Sequence, residues 1–301
     1  MDNVRDYAIK NGMKAAELVD QMASAGFQAS EIGDAVRLIR QMKKDRATVF
    51  LSFTANMVAS GLRGIITKLV KERYVDVIIT TGGAIDHDII RSGKPYLMGD
   101  FNLNDEDLHK RGINRLGNIL IPSDRYIFLE KFIQQLFSEL KSRKRSWTPS
   151  DFIYEAGKRI KDEGSFLHWA SKNNIPVFCP GITDSAIGLQ LYFFKQDNKD
   201  FEIDVSGDMK LADIVINSEK TGGIILGGGI AKHHTIGVNI LKEGLDYAVY
   251  VTTSSAWDGS LSGATPNEAK SWSKVKEKGG TVTVYGDASV IVPLIFAKVF
   301  G

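Results

Sequence analysis

The chain has 301 residues, 43% apolar and 25% charged, enough for one large core or two smaller ones. Its 38 basic and 36 acidic residues leave a net charge of +2, which argues against electrostatic binding of nucleic acid. A single cysteine, Cys179, excludes an intrachain disulfide, no apolar run reaches membrane-span length, and the start MDNVRDYAIKNG is too charged for a signal peptide, so a soluble cytoplasmic protein is expected.

Residues 14–24 and 30–44 read as helices separated by Gly26. In the second, Ile32, Val36 and Ile39 recur at helical spacing, as do Leu38 and Met42, with Ser30 as the expected cap. A strand is expected at Thr48–Phe53, a helix from Asn56 to Lys71 and a strand at Val75–Thr81. Gly82 and Gly83 should end that strand, with a helix beginning near Asp86. The stretch 92–123, broken by Gly93, Pro95 and Gly99, reads as an irregular surface excursion that reaches a neighbouring subunit. Phe128, Phe132, Leu136 and Leu140 predict an amphipathic helix over 124–142, and the basic run Lys141–Arg145 suits its C-terminal end. Thr148-Pro149 is a cap followed by a first-turn proline, so a further helix starts there. Cys179 lies in the apolar run PVFC, where burial is favoured over nucleophilic work.

The region 221–289 carries the clearest pattern. Three apolar, β-branched runs, Ile224–Leu226, Tyr247–Thr253 and Thr281–Tyr285, are each followed by Gly, Ser or Asp and then a helical pattern. Strand, polar turn and helix three times over argue a parallel sheet whose strand ends carry chemistry. Gly227, Gly228 and Gly229 stand at the first strand-to-helix turn. Such a turn can let backbone N–H groups approach a phosphate, or can simply be tight; the run is not G-x-G-x-x-G.

The words GGGIAKHH, DYAVYVTT, WDGSLSGATPNEAKSWSK and VYGDAS, in that order, resemble deoxyhypusine synthase. So do PVFCPGITD, INRLGNILIPSDRY, VDVIITTGG, TANMVASGLR and GFQASEIGDAV, so the resemblance covers nearly the whole chain. It implies a doubly wound, mostly parallel, Rossmann-like α/β fold. On that reading residues 1–46 are an N-terminal helical segment, and 47–301 form an NAD-binding catalytic domain as one compact unit. It also implies a homotetramer and a reaction. NAD serves in the oxidation of spermidine, and the aminobutyl group passes to one lysine of translation initiation factor 5A, with no metal ion.

The resemblance assigns roles that residue types alone leave open. Lys270, Lys274, Lys276 and Lys278 would otherwise read as a solvated face. In the family's S-W-G-K word the lysine carries the aminobutyl group as an imine; here the word is Ser271-Trp272-Ser273-Lys274, with serine for glycine. Imine chemistry needs a neutral amine, and Trp272 could supply an apolar wall or lie along the substrate. His233 and His234 can be helix-starting residues satisfied locally. Neighbouring helical positions diverge by about 100°, so both rarely bind one metal ion. The resemblance makes His233 a substrate-pocket base. Glu268 can be a surface glutamate paired with lysine, but matches the family's carboxylate for a polyamine ammonium.

The positions matching the family's NAD contacts are Asn56, Thr81, Gly82, Gly83, Asp184, Gly228, Thr253, Ser254, Asp258, Ser262, Asp287 and Ala288. Most follow expected strands, where a parallel sheet opens its crevice. Three departures concern the donor. Leu189 replaces the last aspartate of T-D-G-S-L-G-D. Leu261, after Gly259 and Ser260, replaces the middle aspartate of D-G-S-D-S-G. Asp86 and His87 stand where the family has paired glutamates. The lost aspartates grip one terminal amine of spermidine in the family, so Asp86 with Glu268 is expected to take over that grip and His87 to shape the same end. Two alternatives follow: transfer of aminobutyl to a small amine such as putrescine, as in homospermidine synthesis, and a non-catalytic NAD-binding relative.

Overall fold

The computed structural model describes residues 3–301. They form an α/β protein whose chain groups into two compact units. The first takes the chain up to Phe53, Tyr74–Ile79 and Lys210–Gly301; the second takes Thr54–Arg73 and Thr80–Met209. The expected boundary at residues 46/47 falls inside the first unit, just before its strand Thr48–Phe53.

In the first unit the strands run in the order Val275–Tyr285, Leu245–Thr252, Thr221–Leu226, Thr48–Phe53, Val77–Thr80. The pairings of Thr221–Leu226 with both its neighbours are parallel, as is that of the two strands nearest the C-terminus. One row of the register joins Leu51, Ile224, Val249 and Val282, all buried. Thr221–Leu226 is buried at every position, as a strand covered on both faces must be, which explains its apolar run without alternation. Helices Ala15–Met22, Phe27–Lys44, Gly229–Val238, Pro266–Ser271 and Ala288–Phe300 belong to this unit. The helix expected from Ser30 begins at Phe27. Gly26, at φ 89°, turns the chain into it, and its N–H donates to Ser30 Oγ (3.0 Å), so Ser30 closes the first turn from within.

The second unit is mainly helical. The helix expected over 56–71 is two, Ala55–Ala59 and Leu62–Lys71, broken at Ser60, whose backbone is extended. The helix expected near Asp86 starts at Gly82 and runs to Gly93. Gly82 is therefore the first helical residue rather than a strand end, and a Cβ there would lie 2.4 Å from that of Ser185. The stretch 92–123 is more regular than its composition predicts. Leu97–Met98, Ile119–Pro122 and Ile113–Leu116 form an antiparallel sheet in that order, with a helix Asp105–Lys110 capped by Asn104. Its outer residues include exposed Met98 and Phe101. The helix Asp124–Arg143 buries Leu129, Ile133, Leu136, Phe137 and Leu140, while Phe128 and Phe132 stay half-buried. Phe137 packs on Phe152, Phe194 and Phe201, the aromatic heart of this unit. Thr148 caps Pro149–Arg159 as expected, accepting from the Asp151 N–H. Cys179 is fully buried, and that burial pushes its thiol pKa up, so it stays protonated.

Candidate active site

A cleft of about 180 Å³ in the first unit is lined by His233, Leu261, Glu268, Trp272 and Lys274, with Ile236, Ala264, Thr265 and Ala269 between them. Three stretches build it: the helix Gly229–Val238, the loop 253–265, and the short helix Pro266–Ser271 with the turn after it. Thr265 caps the short helix, its Oγ1 accepting from the Glu268 N–H at 3.3 Å, and Pro266 opens it. This T-x-x-E start holds the Glu268 backbone, so its carboxylate stands on a defined first turn.

The turn that follows explains how Lys274 is presented. The Lys274 N–H donates to Ala269 O (2.9 Å) and the Ser273 N–H to Lys270 O (3.0 Å). This pair of bonds is the Schellman closure of a helix, in which the residue after the cap adopts a left-handed conformation. That residue is Ser273, at φ 53°. The Lys274 carbonyl then accepts from Leu245 N–H at 3.1 Å, tying the backbone to a sheet strand. Lys274 is thus fixed on both sides of its Cα, and its Nζ lies 5.1 Å from the centroid of the Trp272 ring. Four residues singled out separately in the sequence therefore meet here: Lys274, His233, Glu268 and Trp272. Leu261 lines the same cleft, so the change from aspartate leaves an apolar wall.

The turn Gly227–Gly229 has a structural account of its own. Gly227 and Gly229 have φ of 83° and 65°, and a Cβ on Gly228 would sit 2.2 Å from Ser262 Oγ. Glycine is required at all three for reasons of conformation or space. Beside Gly229 nothing lies within 4 Å of a built Cβ, so that side stays open to a ligand. Thr253 and Ser254 follow the strand Leu245–Thr252, and Ser254 N–H donates to Thr252 Oγ1 at 3.1 Å. Asp258 accepts from Ser260 N–H at 2.7 Å, and its bonds to Ser260 lower its pKa. Gly259 turns at φ 71° between them. Asp287 caps Ala288–Phe300 through Ser289 N–H at 2.7 Å. These residues gather at the C-terminal ends of the first unit's parallel strands, where open α/β sheets bind ligands.

The remaining candidates lie in the second unit. Asn56 is in the helix Ala55–Ala59 and accepts from Thr54 Oγ1 at 2.6 Å. Thr81 stands at the N-cap position of the helix Gly82–Gly93 without a capping hydrogen bond, and its buried Oγ1 has no partner. Asp184 is exposed just before the helix Ala186–Asp197. Asp86 is buried, and its two oxygens accept from Ala186 N–H (2.8 Å) and Ile187 N–H (3.1 Å), the open end of that helix. Burial pushes its pKa up to about 7, against the pull of those two amides. His87 Nδ1 is 2.7 Å from Tyr96 Oη, and burial beside Arg91 lowers its pKa to about 4, so it is neutral at pH 7. Leu189 is exposed on the helix that Asp86 caps. Among the described residues no group of three or more His, Cys, Asp or Glu could hold a metal ion, and no helix is long and apolar enough to cross a membrane.

One residue next to the cleft escaped the sequence reading. Lys232 is 1% exposed, and its Nζ donates to Ala264 O at 2.7 Å. The available signal was its spacing: with Thr235, Ile236 and Asn239 it falls on the buried face of the helix and the turn after it.

Known proteins resemble this chain over nearly its whole length. The family model for deoxyhypusine synthase matches residues 17–299. A protein of Picrophilus torridus named probable deoxyhypusine synthase is 47% identical over 297 residues, covering 98% of this chain and 96% of its own length. One of Methanocaldococcus jannaschii with the same name is 47% identical, covering 90% of this chain and 88% of its own. A solved structure assigned as a deoxyhypusine synthase from Entamoeba histolytica superposes with a TM-score of 0.71 at 27% identity, over 99% of this chain and 96% of that one. The chain therefore belongs to the deoxyhypusine synthase family of aminobutyl transferases.

Proposed function

We propose that this protein transfers the 4-aminobutyl group of spermidine to a lysine of translation initiation factor 5A through an imine on Lys274. The observation that carries the reading is the meeting of Lys274, Glu268, His233 and Trp272 in one cleft. An amine nucleophile, a carboxylate for the donor's ammonium, an imidazole to take a proton and a flat apolar wall are what this chemistry requires.

The roles divide as follows. Glu268 pairs with a donor ammonium, and Trp272 covers the methylene chain. His233 accepts the proton lost from the secondary amine as its C–N bond is oxidised. Lys274 attacks the resulting carbon, and diaminopropane leaves with the other nitrogen. The factor's lysine then displaces Lys274, and the final imine is reduced to the amine. NAD, when bound, supplies the hydride chemistry, accepting one hydride and returning it. The groups that would hold it are Gly228, Thr253, Ser254, Asp258, Ser262, Asp287 and Ala288 in the first unit. Asn56, Thr81, Gly82, Gly83 and Asp184 are proposed as cofactor contacts on their sequence match alone. The open side of Gly229 fits a polar cofactor. Gly259 and Ser260, beside Leu261, are proposed as further donor-binding groups; Asp86 and His87 are proposed as such on their sequence match alone. The desolvated Asp86 carboxylate gains from meeting a cation. We further propose a homotetramer working in the cytoplasm.

A second reading has its own observation. Leu261 puts an apolar side chain in the cleft where the family's carboxylate grips an amine, which leaves the substrate open, and transfer to a small amine such as putrescine is the second reading. Incubation with NAD and spermidine labelled in its butyl carbons decides between them. Label in factor 5A supports the first reading; label only in a small amine supports the second. Transfer to neither acceptor overturns both.

A further inference from the structure

We propose that Lys232 is a positioning residue for donor binding: its ammonium pins the loop 261–264 that walls the cleft and so sets donor affinity. The loop 253–265 has no helix or strand, and Gly263 is its one buried residue. It is held to the helix Gly229–Val238 by a small set of polar contacts. Lys232 Nζ donates to Ala264 O at 2.7 Å and, less closely, to Ser262 O at 3.4 Å. Gly229 N–H donates to Ser262 Oγ at 3.2 Å, and Gly228 leaves the room that Ser262 occupies. The same loop places Leu261, Ala264 and Thr265 in the cleft, and Thr265 caps the helix bearing Glu268. One helical step from Lys232, His233 faces the cleft. Consecutive residues thus hold the loop and line the site.

An ammonium is a costly choice for a position 1% exposed unless it holds something. Its other neighbour is the Tyr250 ring, 4.5 Å away at the centroid, which accepts a cation on its face but contributes no hydrogen bond. Burial lowers the Lys232 pKa to about 8, and Glu268 acts the other way. Evidently the two carbonyls and the ring do not fully replace water, yet the cation is kept. A methionine would fill this space without that cost and without the clamp.

The proposal rests on the donor reading above, so its test includes a measurement that needs no turnover. Lys232→Met keeps length and removes the charge and both hydrogen bonds. In the free protein, hydrogen exchange of the Gly263 and Ala264 amides, which donate to Ser260 O, should quicken, with the strand Leu245–Thr252 unchanged. The spermidine KM should rise about tenfold or more, as loss of charge-assisted bonds implies, with kcat within about threefold. Lys232→Arg should recover most of the affinity. A folded Met variant with wild-type loop exchange or wild-type KM overturns the proposal. If the Met variant does not fold, Lys232→Gln carries the same two readouts. Altered loop exchange in a protein whose wild type ignores spermidine would leave the clamp standing and remove the donor reading instead.

Discussion

Replacing Ser273 by glycine should stabilise the protein without cost to activity. Ser273 holds the left-handed position of the turn that presents Lys274, at φ 53°. For an L-residue this conformation costs about 1–2 kcal/mol. Glycine removes that strain but brings about 0.5–1 kcal/mol of extra chain entropy in the unfolded state. The central values differ by about 0.75 kcal/mol in favour of glycine. Ser273 is exposed, so no packing is lost. In urea, with a slope near 3 kcal/mol/M for a chain of this size, the midpoint should rise by about 0.2–0.3 M. The hydrogen bonds that close the turn are all backbone, so kcat/KM should stay within about twofold. Ser273→Val should move the midpoint the other way, because a β-branched residue tolerates φ above zero poorly. A lowered midpoint for Ser273→Gly would refute the reasoning, showing that the serine side chain supports the turn by more than its backbone strain costs.

Two further outcomes follow from the geometry. Asp86 has a folded pKa of about 7 against 3.8 for the free group, so the folded state binds more protons between these values. Its contribution is fully present below about pH 4 and is lost as pH rises through 7, by roughly 4 kcal/mol at most. Stability of the wild type relative to Asp86→Asn should therefore fall from pH 4 to pH 7 in denaturant titrations, and a flat difference would show that Asp86 does not titrate in that window. Leu261→Asp places a carboxylate in the cleft, and if the apolar wall has reduced the grip on spermidine it should lower that KM by about tenfold or more. An unchanged or higher KM would show that the donor amine is held elsewhere.

The first unit was legible because its strands are short apolar runs bounded by turn residues, and Thr48–Phe53 has the expected ends. The second unit was harder. Gly82 and Gly83 looked like a strand end because glycine is rare inside helices, yet close packing against Ser185 requires a residue without Cβ there. The sheet in 97–122 was hidden because its strands are only two to four residues long and bury a single residue, Ile121, so period-two alternation had no room to show. Within the site, Lys274 could be chosen among four lysines only through its sequence word. The physical basis, a helix closure that throws the next residue toward the cleft, depends on Ala269 and Leu245, which no local spacing links. Lys232 was passed over although its spacing with Thr235, Ile236 and Asn239 puts it on the buried face of its helix.

The central claim is that Lys274 carries the aminobutyl group. Its most direct test is borohydride reduction of the protein incubated with NAD and butyl-labelled spermidine, followed by peptide mass spectrometry. The account predicts one aminobutyl adduct, on Lys274, and none in Lys274→Arg, because a guanidinium stays protonated and forms no imine. An adduct on another lysine, undiminished in Lys274→Arg, would contradict it.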